Sequence, residues 1–68
     1  MKTKEEKTIL KAYNCKVIIV IEKDNDDIAS ASSWYEVENE ENKKVYTTKK
    51  LYEAMHIWNN LINKIKGF

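Results

Sequence analysis

Apolar residues follow two different rhythms along this chain of 68 residues. Near the C-terminus, Leu51, Ala54, Met55, Trp58, Leu61, Ile62 and Ile65 recur at intervals of three and four. At 100° per residue they share an arc of about 120°, which predicts a core-facing helical stripe. Thr47 or Thr48 is the expected N-cap, Glu53 suits the positive first turn, and Lys64 and Lys66 suit the negative last turn. Gly67 supplies the stop. Earlier, Lys16-Val17-Ile18-Ile19-Val20-Ile21-Glu22 carries five consecutive β-branched residues, the composition of a strand with two apolar faces.

Asp24-Asn25-Asp26-Asp27 and Glu38-Asn39-Glu40-Glu41-Asn42 read as hairpin loops, since Asx residues bond their own backbone and tolerate left-handed conformations. They delimit three strands, at about 15–23, 28–37 and 43–47. Before them, Thr3-Lys4-Glu5-Glu6 fits a capping box, predicting a short N-terminal helix that carries Ile9, Leu10 and Tyr13. The alternative is that residues 8–14 extend the first strand. The expected fold is therefore α+β, in the order (α)-β-β-β-α: one domain over 1–68, with a three-stranded antiparallel meander packed on a long C-terminal helix.

The odd face of the first strand, Cys15, Val17, Ile19 and Ile21, is expected to meet that helix, with Ala29 and Ala31 of the next strand making room for Trp58. Ile18, Val20, Ile28 and Trp34 then gather on the other face. That patch is too apolar to leave in water. Its cover is the N-terminal helix, a second copy of the chain, or a protein partner.

The net charge of +1 conceals segregation: +3 over residues 1–23, −7 over 24–41 with no base, and +5 over 42–68. Such blocks create a field able to steer a charged partner. Arg is absent and Lys, Asn and Ile are abundant, a bias of AT-rich codons. Cys15 is the lone cysteine, so no internal disulfide can form. The longest apolar run has five residues, far below the roughly 20 of a membrane span. No apolar signal core follows the Lys-rich start, and the expected compartment is the cytoplasm.

Candidate chemistry is sparse. Asp24, Asp26 and Asp27 have the spacing that opens a calcium loop, but no Gly and closing Glu follow. Ser30, Ser32 and Ser33 with Cys15 form no nucleophile elbow or Cys/His signature, and His56 has no partner at catalytic spacing. A non-enzyme needing no metal or cofactor is expected. The acidic surface of Asp24, Asp26, Asp27, Glu36, Glu38, Glu40 and Glu41, with Trp34 as aromatic anchor, is the first candidate for binding a protein. A second or dimer face combines Ile18, Val20 and Ile28 with a polar helix stripe of Tyr52, His56, Asn59 and Asn63. Lys43, Lys44, Lys49 and Lys50 with Tyr46 could meet phosphates and a base, though without Arg the bidentate guanine contact is missing.

In size, layout, concentrated acidic residues and AT-rich composition the chain resembles the small inhibitors encoded by phages and mobile elements, a class that includes anti-CRISPR counter-defence proteins and uracil-DNA glycosylase inhibitors. No family motif is matched, so no residue role is carried over. The resemblance implies a stoichiometric inhibitor occluding a nucleic-acid-handling bacterial protein such as a CRISPR effector. The alternative is a nucleic-acid-binding or regulatory homodimer using Lys43–Lys50 and the C-terminal helix.

Overall fold

The computed structural model describes residues 2–24 and 27–67, with their side chains except those of Lys2 and residues 27–30. Strands β1 (Lys2–Ala12), β2 (Cys15–Asp24), β3 (Asp27–Glu38) and β4 (Lys44–Thr48) precede one helix, α1 (Leu51–Lys66). They form one sheet in the order β1-β2-β3-β4, with every neighbouring pair antiparallel. The α+β class, the meander and the C-terminal helix are as the sequence predicts.

The N-terminal segment is not a helix but a fourth strand. Thr3 lies opposite Lys23 and does not cap. A ten-residue helix with three apolar side chains is marginal in water. Pairing instead satisfies the backbone edge of β2, which would otherwise stand open. The connection is a two-residue turn between Ala12 and Cys15, with Tyr13 and Asn14 at φ 52° and 63°. Positive φ at both central residues is the type I′ geometry, whose twist matches that of the flanking strands. Asn14 tolerates it readily; Tyr13 does so at a cost.

A bulge then sets which side chains of β1 face the core. Thr8 lies opposite Ile18, but Leu10 lies opposite Val17, so Ile9 is the extra residue. Leu10 is thereby turned onto the helix side, where it packs against Val17, Val37 and Ala54, all three fully buried. Without the extra residue it would stand opposite Lys16 on the other face, because a one-residue slip inverts a strand.

Helix α1 touches β2, β3 and β4. Tyr35, Ile57, Trp58 and Leu61 complete its packing around the buried trio. Ala54, Trp58, Leu61 and Ile62 of the predicted stripe are in the core, and with Ile57 added the buried face turns by about 30° from the centre of that stripe, counted at 100° per residue. Ile57, outside that stripe, enters the core, while Leu51 and Met55 emerge at 40% and 39% exposure. Trp58 is tied to the sheet, its Nε1 donating to the Cys15 carbonyl at 2.9 Å. Trp58 therefore sits at the Cys15 end of the sheet rather than over the small residues of β3. Ala31 is exposed, and the Ala29 side chain lies outside the described residues.

The helix ends differ in how far they follow expectation. Gly67 closes the C-terminus at φ 84°, its N–H reaching the carbonyls of Asn63 and Lys64. At the other end the N-cap position falls on Lys50, with no side-chain cap bond. Thr48 works from two residues further out: its Oγ1 accepts from the Lys50 N–H at 3.1 Å and donates to Glu53 Oε2 at 2.6 Å.

The second face of β2 carries no helix, yet Val20 is fully buried and Ile18 is 9% exposed. Their neighbours cover them. Val20 lies between Glu6 and Trp34, and Ile18 between Thr8 and Glu36. Long or flat side chains on flanking strands can shield a central strand while keeping their polar ends wet. Neither an N-terminal helix nor a second chain is required for this cover.

Candidate protein-binding surfaces

The described acidic side chains of 24–41 do not form one surface. Asp24 closes β2 at one end of the molecule, while Glu38, Glu40 and Glu41 lie at the far end of β3, a separation on the order of 30 Å along the strand. The molecule is elongated, 48 × 20 × 15 Å, so Asp24 and the three glutamates stand near opposite poles. Asp26 lies outside the described residues, as do the side chains of Asp27 and Ile28. Glu38 pairs with Lys16 at 3.7 Å and Glu41 with Lys43 at 3.3 Å. In the β3–β4 loop, Asn39 Oδ1 accepts from the N–H groups of Glu41 and Lys43, both at 3.0 Å, an Asx turn that leaves Glu40 in solvent.

Glu36 is buried, 5% exposed, and works within the sheet. Its Oε2 accepts from Trp34 Nε1 at 2.9 Å and meets Lys44 Nζ at 3.0 Å. Burial pushes its carboxyl up. The Trp34 and Lys44 hydrogen bonds and the charges of Lys44 and Lys4 together outweigh that, holding it below the usual carboxylate range. Trp34 is half-buried, pinned at its N–H, with Lys4 Nζ 6.0 Å from its ring centre. It is an oriented aromatic, held between the Glu36 carboxylate and the Lys4 ammonium.

The polar stripe of the helix is brought together as predicted. Tyr52, His56, Asn59 and Asn63 are all exposed and share the face turned away from the sheet. Ile18 and Val20 lie on the opposite side of the molecule and are already covered, so the expected second surface divides into two. The roll of α1 adds Leu51 and Met55 to the stripe, which sequence periodicity had assigned to the core. From Leu51 to Asn63 the only charged residue is Glu53, in a chain 34% charged. Glu53 is turned toward β4, bound by Thr48 and, at 3.4 Å, by the Tyr46 hydroxyl.

The lysines of 43–50 are dispersed by the same geometry. Lys44 serves Glu36, Lys43 serves Glu41, and Lys50 Nζ lies over the Tyr52 ring at 5.8 Å. Cys15 is fully buried; burial first, then the charge of Glu40, push its thiol pKa up, the reverse of a reactive thiolate. Among the described residues no group of three or more His, Cys, Asp or Glu is placed to hold a metal. No helix there is long and apolar enough to cross a membrane. Comparison with protein-family models, curated proteins and solved structures gave no match to this chain.

Proposed function

We propose that this chain is a non-enzymatic protein-binding domain that acts by occupying a partner's surface with the outward face of α1. One observation carries the reading. Thirteen consecutive helical residues, 51–63, present Leu51, Tyr52 and Met55 at 40%, 66% and 39% exposure and contribute no charged side chain of their own to the solvent side, which Lys50 borders at Tyr52. Interface centres are depleted in charge and enriched in Tyr and Met, whereas a face kept only for solubility carries Lys and Glu. His56, Asn59 and Asn63 add hydrogen-bonding groups around the apolar positions, as a polar rim does.

The resemblance to small mobile-element inhibitors supports the same mode of action: stoichiometric occlusion of a nucleic-acid-handling bacterial protein. The separated charges at the two poles then steer approach, and the uncharged helix face supplies contact. The test is titration of the chain into purified RNA-guided nucleases and uracil-DNA glycosylase, read as loss of target cleavage or base excision. Inhibition that saturates at one chain per enzyme and is abolished in Tyr52→Asp/Met55→Asp supports the reading. Inhibition that survives both substitutions would move the contact surface elsewhere, and an inert chain across the panel would remove this partner class.

A further inference from the structure

Residues 42–68 hold six lysines and one acid, Glu53, yet Glu53 has no salt-bridge partner among the described residues. Its position is fixed all the same. Tyr46 and Thr48 lie opposite Val37 and Tyr35, so both point to the helix side of β4 and reach Glu53 from below. Both hydroxyls bond one carboxylate oxygen, Oε2, at 3.4 Å and 2.6 Å. No described group bonds Oε1. Around this carboxylate Tyr46, Tyr52, Glu53, His56 and Ile57 line a notch of about 240 Å³. Tyr52 already attracts a cation from within the chain, since Lys50 Nζ sits over its ring at 5.8 Å. That lysine nevertheless makes no ion pair with the adjacent carboxylate.

We propose that this notch receives a single arginine side chain of the partner protein. A carboxylate held by the Thr48 hydroxyl at 2.6 Å, with the Tyr46 hydroxyl 3.4 Å away, is pre-organised and keeps acceptor capacity on Oε1, so a guanidinium gains a charge-assisted bond without ordering Glu53 first. Tyrosine rings supply faces on which a planar, weakly hydrated guanidinium stacks. An ammonium is a more strongly hydrated point charge and uses the ring faces less well. The notch borders Tyr52 and His56 of the helix face, so the arginine would act as the charged peg of an otherwise uncharged contact. Arg anchors of this kind are frequent hot spots.

The inference rests on the helix-face reading, but its test needs no partner. Ethylguanidinium and n-butylammonium are titrated separately into the labelled full chain and followed by NMR. Ethylguanidinium is expected to shift Tyr46, Tyr52, Glu53 and His56 in concert, more strongly than the ammonium. Glu53→Gln should weaken it about tenfold, the loss of one charge-assisted bond. Tyr52→Leu, at a side chain too exposed to matter for folding, should weaken it several-fold. Glu40→Gln/Glu41→Gln should leave it unchanged.

Equal shifts at Glu40 and Glu41, or full binding to Glu53→Gln, would overturn the site. Tighter binding of the ammonium would overturn the assignment to arginine. Failure of the helix-face reading looks different: enzyme inhibition indifferent to Tyr52→Asp/Met55→Asp, with fragment binding to the unaltered chain intact.

Discussion

Trp34 donates its indole N–H to Glu36, two residues along the same strand face, at 2.9 Å. The pair explains how a sheet with one helix protects both its faces. Glu36 is the fixed post, held by Lys44, and the tethered indole flanks Val20, the residue directly opposite it on β2.

Glu36 should therefore make stability depend on pH. Its folded pKa lies below the unfolded value, so its contribution is fully present above the ordinary carboxylate pKa and is lost as pH falls through the folded value. Urea unfolding of Glu36→Gln at a series of pH values should show a flatter profile than the unaltered chain, the two converging in acid. Glu36→Ala should also speed exchange of the Trp34 indole proton with water, which NMR reads directly.

The Tyr13–Asn14 turn holds a bulky residue at φ 52°. A left-handed conformation costs such a residue roughly 1–2 kcal/mol, and Asn-Gly is the preferred type I′ pair. Tyr13→Asn/Asn14→Gly should stabilise the chain by about 1 kcal/mol, less whatever the contact of Lys66 with the Tyr13 ring contributes. For a domain of this size that raises Tm by about 4–8 °C, measurable by calorimetry.

Trp58 anchors α1 to the sheet through the Cys15 carbonyl. Trp58→Phe keeps an aromatic ring but orphans that acceptor, with an expected cost of about 1–3 kcal/mol in chemical denaturation. Ala54→Leu crowds the fully buried junction with Val17 and Val37 and should cost a similar amount through overpacking.

Binding to nucleic acid should be weak or absent. Lys43 and Lys44 are paired with glutamates, and no continuous basic stripe runs along the 43–50 segment. Retention on a DNA or RNA column should be lost at low salt; a steep slope of affinity against salt would instead report several phosphate contacts.

The C-terminal helix was legible because its apolar period, Gly67 and terminal lysines agree. Strand β2 was legible from its run of branched residues. Strand β1 was not, because Lys2–Lys7 carries charge on both faces, as an edge strand can, and its turn contains no glycine. The alternative of residues 8–14 as strand caught the conformation of 8–12 but not the turn at Tyr13 and Asn14 that makes them a separate strand. The surface reading failed for another reason: residues clustered in sequence lie at opposite ends of one long strand. Ile57 escaped the apolar stripe because it lies about 40° beyond the stripe's edge at Leu61, and the Trp58 bond to the Cys15 carbonyl is invisible to periodicity. The roll of the helix exposed Leu51 and Met55, the residues on which the functional reading now depends.

Strands of ten to twelve residues run beneath a helix of sixteen, which at 1.5 Å per residue spans only about 24 Å. The Cys15, Val17 and Val37 end of the sheet has a layer above it; beyond Ile21, β2 is paired with its neighbouring strands and lies outside the helix-packed cluster of described residues. One strand thus belongs to two regimes of local opening. Amide hydrogens near Val17 should exchange only when the whole domain unfolds. Those of Glu22 and Lys23 should exchange through fraying of the hairpin ends, orders of magnitude sooner, although ladder bonds of the same kind hold both.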